Sequence, residues 1–498
     1  MKYTLAIDQS TSATKAMLFD ANAALVARVS LAHEQFYPRP GWVEHDPVEI
    51  LENTCKAVSN LLEESKITPS DIVSLALTNQ RETVVMWDKS TGKPVYNAIV
   101  WQCNRGAAIC EEIIAQGKAA LVKEKTGLII NPYFSASGVK WIIDNIVGTH
   151  DVKTRRATSL PDDNLLIGTI DTWLIWNFTG GAVHATDYTN ASRTLLFNIH
   201  TLDWDDELLE LFSVNRSMLP EVYPCDHIFG TTTLNGLLPE IPIAGVLGDS
   251  HGALVGQMCF APGMGKATYG TGSSLMINIG EEVLEAPEGL VTSVAFSALD
   301  KTYYAFEGNI HCTGATIQWL KNNLQFITSA QESEVLATAV EDNGGVYFVP
   351  AFAGLGAPWW NNEAKALICG MTGGTTKAHI VRAALESIAY QIKDLMDLVR
   401  NAGGTLQELR VDGGPVKNNF LMQFQADMLQ APINRSPIEE ASVLGAVLMN
   451  SIALKTRHSW DELAQLRKEE NRIYPQMDTQ KTKSLHQAWI AAVKRTII

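Results

Sequence analysis

The chain has 498 residues, 46% of them hydrophobic and 19% charged, and its 39 basic and 54 acidic side chains leave a net charge of −15. That length exceeds what one hydrophobic core organises and implies two or more domains, while the acidic balance disfavours nucleic acid and anionic membrane as partners. No apolar run approaches membrane-spanning length, an acid stands as early as Asp8 where a secretory leader would be apolar, and seven scattered cysteines form no C-x-x-C pair. Reduced thiols in a cytoplasmic protein are therefore expected, with neither a disulfide frame nor a zinc site.

In chain order, Tyr3 to Ile7 is a short apolar run that ends on Asp8. The small polar turn QSTSATK follows, then AMLFD, a turn at Ala21-Asn22, and ALVARVSLA. This pattern predicts a β-meander whose first turn carries an acid and hydroxyls. YPRPGWVEHDP (37–47) is punctuated by proline and glycine and reads as a loop, with Asp46-Pro47 starting the helix VEILENTCKAVSNLLEE. ALTNQRETVVMW (76–87) predicts a strand with Gln80-Arg81-Glu82 at its end. IPIAGVLGD again ends an apolar run on an acid, and GKATYGTGSSLMINIG predicts a hairpin turning at Gly270-Thr271-Gly272. VTSVAFSALDKTYYAFEGN continues as strands. Val381, Leu385, Ile388, Ile392, Leu395 and Val399 step at helical spacing and read as core, with Asn401-Ala-Gly403-Gly404 as the stop. LQELRVDGGPVKNNFLMQFQADML predicts strand, glycine turn and helix. Two halves that each open with strand, turn and strand suggest a duplicated α/β architecture, divided into 1–250 and 251–498.

Three turns are candidates for holding phosphate: Asp8 to Ser12, Gly270 to Gly272, and Asp412 to Gly414 before a helix. Tight turns of small residues aim N–H groups and hydroxyls at an anion. Neither a G-x-x-x-x-G-K-[ST] loop nor a G-x-G-x-x-G after the first strand is present. A carboxylate at Asp8 could hold Mg²⁺, which uses few carboxylates beside phosphates; taken alone, an Asx-turn cap is the stronger reading. Arg81 with Glu82 could bond polyol hydroxyls, against a surface ion pair as the plain alternative. Trp101 and Tyr133 read first as core or rim aromatics. GDSHG (248–252) fits a hydrolase nucleophile elbow at Ser250, served by His379 or His458; no HGGG-type oxyanion segment precedes it. A non-catalytic, sugar-binding ATP switch is a further alternative.

Longer segments carry a resemblance: PGWVEHDP (40–47), TNQRET (78–83), TGKPVYNAIVWQC (91–103), DTWLIWNFTGG (171–181), TDYTNASRTLLFNIHTLDWDD (186–206), VPAFAGLGAPWW (349–360) and RVDGGPVKNNFLMQFQADML (410–429). From Tyr3 to about Tyr474 the chain resembles the FGGY carbohydrate kinases, and within them those that phosphorylate glycerol. The resemblance implies an α/β fold of two actin-like (ribonuclease H-like) domains with a central cleft, the first on the substrate side and the second on the nucleotide side. It implies ATP-dependent phosphorylation of a terminal hydroxyl of glycerol to glycerol 3-phosphate, with Mg²⁺. Asp249 would be the general base, and Asp8 with Asp249 would hold the metal. Ser10, Thr11, Ser12, Gly270 and Thr271 would hold phosphates, and Gly314, Gln318, Gly414 and Asn418 the adenosine side. Arg81, Glu82, Trp101, Tyr133, Asp249, Ser250 and Ser274 would meet the acceptor. A cytoplasmic homodimer or homotetramer is expected.

Three positions depart from the family pattern. Ser10 replaces a glycine, so a Cβ stands where backbone should approach phosphate closely. Ser250 and His251 replace two glutamines, and Ser274 replaces a phenylalanine. Smaller, more polar side chains keep open an alternative acceptor: erythritol, threitol, erythrulose or a pentulose. The region 233–245, TLNGLLPEIPIAG, lacks the glycine–arginine cluster and the histidine of regulated relatives, so neither control is expected.

Overall fold

The N-terminal apolar runs fold as expected into antiparallel strands β1 (Tyr3–Gln9), β2 (Ala13–Phe19) and β3 (Leu25–Ala32). The computed structural model describes residues 2–147, 164–352, 354–359, 361, 363–436, 438, 440–467 and 471–497; Ala353 and Trp360 of the 349–360 segment lie outside them. Two compact units emerge: unit 1 comprises Met1–Met258, Ser293–Tyr304 and Glu440–Leu466, and unit 2 comprises Cys259–Thr292, Ala305–Glu439 and Arg467–Ile498. Beside the expected division at 250, the first long run ends at Met258 and two later segments return to unit 1.

In unit 1, β1 pairs in parallel with β4 (Ile72–Asn79), and β4 in parallel with β6 (Ile241–Gly248). β5 (Ile228–Thr232) closes that edge antiparallel to β6, giving the order β5-β6-β4-β1-β2-β3. The central strands are buried along most of their length, so they read as continuous apolar runs and not as alternation. Helix α1 (Pro47–Ser65) starts where Asp46 accepts the Val48 N–H, and lays Ile50, Thr54, Val58 and Leu61 on the sheet. Gln9, Asn79 and Gly248 align in register, so Ser10, Gln80 and Asp249 all leave the sheet at the carboxyl end of their strands.

Helix α2 (Asp249–Gly256) follows β6 with no intervening residue. It packs closely on α7 (Ala441–Ala453) because both carry glycine at the contact. A Cβ on Gly256 would lie 1.9 Å from the Ala441 carbonyl, and one on Gly445 would lie 2.0 Å from that of Gly252. Backbones at that separation fix α2, and with it Asp249.

The stretch 37–47 is a loop only in its first part. Beyond Gly41 the punctuation ends, and Glu44–His45 forms a short strand paired with Ala98–Ile99. Burial of Glu44 is supported by Arg105, whose Nη2 donates at 2.6 Å, and by the Tyr96 hydroxyl at 2.7 Å. The Arg105 guanidinium lies over the rings of Trp42 (4.1 Å) and Trp141 (4.6 Å), a cation–π enclosure that explains the tryptophan of that segment.

Unit 2 repeats the scheme. β7 (Met264–Tyr269) turns into antiparallel β8 (Ser273–Gly280), and the hairpin β9 (Val291–Ala298) and β10 (Lys301–Ile310), whose residues Ser293–Tyr304 are the segment counted with unit 1, continues the sheet past β8. β7 pairs in parallel with β11 (Glu408–Gly413), β11 in parallel with β12 (Ile433–Arg435), and β12 antiparallel with β13 (Asn471–Ile473). The order is β9-β10-β8-β7-β11-β12-β13. Helices α3 (Gly314–Asn322), α4 (Ala330–Thr338), α5 (Lys377–Asn401) and α6 (Asn419–Leu429) pack around it. α5 ends at Asn401, where Gly403 takes φ +85° as the stop signal implied.

Candidate functional site

In unit 1 the polar residues leaving the sheet meet one another. Arg81 Nε donates to Asp249 Oδ1 at 3.1 Å. Arg81 is buried, whereas 38% of the Asp249 side chain is exposed, enough to meet a ligand. A Cβ on Gly248 would lie 2.5 Å from Arg81 Cγ, so glycine before the acid is what lets the arginine lie against the strand end. Glu82 sits in the left-handed region at φ +61°, and its Oε1 accepts from Arg193 Nε at 2.7 Å with both side chains buried. The plain reading of Arg81 and Glu82 as a surface ion pair is thereby overturned: each has its own buried or half-buried partner.

Trp101 and Tyr133 meet edge to face at 5.5 Å, both partly exposed. Trp101 Nε1 donates to Thr11 Oγ1 at 2.9 Å, which leaves the Thr11 O–H free to donate elsewhere. His33 Nε2 contacts the Thr11 carbonyl at 2.8 Å beneath the turn. Ser10 closes the turn: its N–H and hydroxyl donate to the Ala13 carbonyl at 2.9 and 2.8 Å. Its φ lies outside the left-handed region, a conformation that serine adopts without strain. Ser12 follows, and its carbonyl accepts the His33 N–H.

Asp8 is buried at the end of β1, with Lys15 Nζ at 3.4 Å and Glu440 on the far side of that lysine at 2.8 Å. Burial, with the charges of Asp249 and Glu440, raises its carboxyl to about 6 against the pull of Lys15. A desolvated carboxylate that senses a second acid suits a cation that brings its own phosphate and water ligands. Among the described residues no group of three or more His, Cys, Asp or Glu could cage a metal alone.

The nucleophile-elbow reading fails on its partners. Ser250 stands in the first turn of α2, and its N–H donates to Asp249 at 2.6 Å. The buried His251 ring faces Ser293 at 3.4 Å, His379 caps α5 with Thr376, and His458 is exposed with its backbone N–H on Glu462 at 2.9 Å.

Unit 2 holds a cavity of about 500 Å³. Gly270, Thr271, Gly314, Gln318, Gly414 and Asn418, six residues singled out from sequence, all line it. Its floor is backbone against backbone. The Gly314 N–H donates to the Gly270 carbonyl at 2.9 Å, and those of Thr313 and Ala315 to Thr271. Gly413 takes φ +97°, and a Cβ there would lie 2.0 Å from the Tyr269 carbonyl. Asn418 caps α6 by accepting the Leu421 N–H at 2.9 Å, and its Nδ2 reaches Ser333 at 3.4 Å. Ser274 sits on β8 opposite Thr268, within 3.3 Å of Lys266 Nζ. Sequence reasoning missed the wall given by α4, including Gln331, Ser333 and Glu334, and missed Leu385 and Ile388, which serve both core and cavity. The only signal for α4 was its Ser329 cap, which marks a helix start and not a ligand.

Family models for the N-terminal and C-terminal domains of the FGGY family of carbohydrate kinases match residues 3–256 and 265–467. Glycerol kinase 2 of Thermotoga maritima is 50% identical over 498 residues, covering 100% of this chain and 99% of its own. Glycerol kinase 1 of the same organism is 48% identical, covering 99% of each. The crystal structure of Plasmodium falciparum glycerol kinase with ADP superposes with a TM-score of 0.94 at 40% identity, covering 100% of this chain and 99% of that one. A ligand-bound xylulose kinase from Lactobacillus acidophilus shares the fold at 20% identity, with a TM-score of 0.89 over 99% and 98% of the two chains. The chain belongs to the FGGY family of carbohydrate kinases.

Proposed function

We propose that this protein phosphorylates a terminal hydroxyl of glycerol with ATP, giving glycerol 3-phosphate. The observation that carries the reading is Asp249 itself: a partly exposed carboxylate at a strand end, oriented by Arg81, in the same unit as the Trp101–Tyr133 pair. Relatives of 48–50% identity over the full length bear the name glycerol kinase.

Phosphoryl transfer asks a protein mainly for position and charge stabilisation. Asp249 takes the proton from the attacking hydroxyl as that oxygen bonds to the γ-phosphorus and ADP leaves. Arg81 and Glu82 donate to and accept from the acceptor's hydroxyls, and Trp101 with Tyr133 covers its carbon chain. Arg193 and Arg81 hold the two carboxylates ready, so little reorganisation accompanies the transfer. The unit 2 cavity takes the nucleotide, with the Gly270–Thr271 turn at its phosphates and Gln318 and Asn418 toward the adenosine. The Thr11 and Ser12 turn contributes further donors to the phosphates. Asp8 and Asp249 are the residues that would hold Mg²⁺, which when bound neutralises charge on the phosphate oxygens. Ser250 and Ser274 are proposed acceptor contacts. A homodimer or homotetramer in the cytoplasm is proposed in keeping with seven free cysteines; among the described residues no helix is long and apolar enough to cross a membrane.

The test is an ADP-release assay over glycerol, dihydroxyacetone, erythritol, threitol, erythrulose and pentuloses, on the wild type and Asp249→Asn. Glycerol should give the highest kcat/KM; a longer acceptor that exceeds it replaces the glycerol assignment. Asp249→Asn should lose about 10²–10⁴ in kcat while still binding ADP. Near-normal turnover removes Asp249 from the base role.

A further inference from the structure

The segment Asp187–Arg193 lies wholly within unit 1 and bonds to Asn79, Glu82 and Gly248, at or beside the strand ends that carry Arg81, Glu82 and Asp249. Asp187 is fully buried and caps a one-turn helix, accepting from Thr189 N at 2.8 Å and from Asn190 N at 3.1 Å. Its carboxylate also accepts from Asn190 Nδ2 at 2.8 Å and from the Cys225 thiol at 3.3 Å. Asn190 and Asn79 exchange a pair of amide bonds at 3.0 and 3.1 Å, and Asn79 is the last residue of β4, two before Arg81. Arg193 holds Glu82. Thr189 Oγ1 accepts the N–H of Gly248 at 3.0 Å, immediately before Asp249.

Gly248 ends β6, and its amide needs an acceptor because it is buried. Thr189 supplies one from a side chain that is itself fully buried and held at its own amide by Asp187. We propose that Thr189, anchored by Asp187, is a positioning residue for the reaction: its hydroxyl oxygen fixes the Gly248 amide and thereby aims the Asp249 carboxylate. This rests on the reading of Asp249 as the base. With that acceptor gone, the buried N–H must shift to find another partner, and the 3.1 Å contact of Asp249 with Arg81 shifts with it.

The test compares Thr189→Val, which keeps the shape and removes the acceptor, with Thr189→Ser, which keeps the acceptor, and with Asp249→Asn in the same assay. Thr189→Val should lower kcat by about tenfold or more, with acceptor KM changed less than about threefold and ADP affinity unchanged. Thr189→Ser should restore kcat to within about twofold of wild type. A purely structural role predicts instead that both variants lose kcat in step with their melting temperatures, and that result overturns the proposal. Wild-type kcat in Thr189→Val overturns it too. Should Thr189→Val fail to fold, Thr189→Ala removes the same acceptor and is judged by the same criteria. An inactive Asp249→Asn beside a fully active Thr189→Val refutes this inference alone; an active Asp249→Asn refutes the base reading beneath it.

Discussion

The two units build nearly the same sheet and use its carboxyl end differently. In each, a parallel triplet (β1, β4, β6 and β7, β11, β12) is flanked by an antiparallel partner of its first strand and closed by an antiparallel strand on the far edge. Ligands of open α/β sheets gather where parallel strands end. Unit 1 ends those strands with charge: Asp8, Arg81, Glu82 and Asp249, each with a named ionic partner. Unit 2 ends the equivalent strands with glycine turns at Gly270 and Gly413-Gly414, and presents backbone. Side chains can hold an acceptor and move its proton, whereas N–H groups in glycine turns suit a polyanion without adding a titrating group.

If unit 2 works through close backbone packing, its most sensitive position is a glycine. Gly413→Ala places a methyl 2.0 Å from the Tyr269 carbonyl at φ +97°, with backbone on both sides of the clash. We expect a loss of several kcal/mol and no ADP binding. Gly414→Ala next to it meets nothing within 4 Å and should leave stability within about 0.5 kcal/mol. Calorimetric unfolding with ADP titration reads both. Equal behaviour of the two variants would mean that close backbone approach is not what the turn requires.

If unit 1 works through charge, it should carry a pH signature. The Asp8 carboxyl is raised to about 6, chiefly by burial, from an ordinary value near 3.8. A raised acid means the folded state binds its proton more tightly than the unfolded chain, so this group's cost to stability appears as pH rises through about 4 and is complete above about 6. Asp8→Asn mimics the protonated form. It should match wild-type stability near pH 4 and exceed it by on the order of 2 kcal/mol above pH 6, while kinase activity falls. A stability gain independent of pH would detach Asp8 from this account.

Much of this was legible in the sequence, and the boundary of legibility has physical causes. The N-terminal meander, the strand–acid–helix at Asp249 and the glycine turns at 270–272 and 412–414 follow from local punctuation, whereas Gly314, Gln318 and Asn418 were reached only through the family resemblance. What stayed hidden is what folding brings together from afar. Arg193 meets Glu82 across 111 positions, and Lys15 meets Glu440 across 425. Arg81 and Glu82 looked like a surface pair because burial is not visible from two adjacent charges. Glu44–His45 looked like loop because the arginine that allows Glu44 to be buried lies 61 residues on. Ser10 stood out because the family pattern has glycine there, yet a hydroxyl bonded back to Ala13 suits serine to that turn.

The finest distinction between the units lies at Asn418, where a structural role and a proposed ligand role coincide. It lines the unit 2 cavity proposed for the nucleotide, and its Oδ1 caps α6 while its Nδ2 points toward Ser333. Asn418→Ala removes both and should cost about 1 kcal/mol, with ATP KM rising several-fold. Asn418→Asp keeps the capping oxygen and loses the amide donor, so stability should stay within about 0.5 kcal/mol of wild type while ATP KM still rises. Acceptor KM should move in neither variant, because every residue assigned to the acceptor except Ser274 belongs to unit 1. If the aspartate variant instead binds ATP normally, the cap alone matters, and the cavity reads its nucleotide through backbone and the neighbouring Gln318. A change in acceptor KM would show that the division of labour between charged strand ends and glycine turns is not clean.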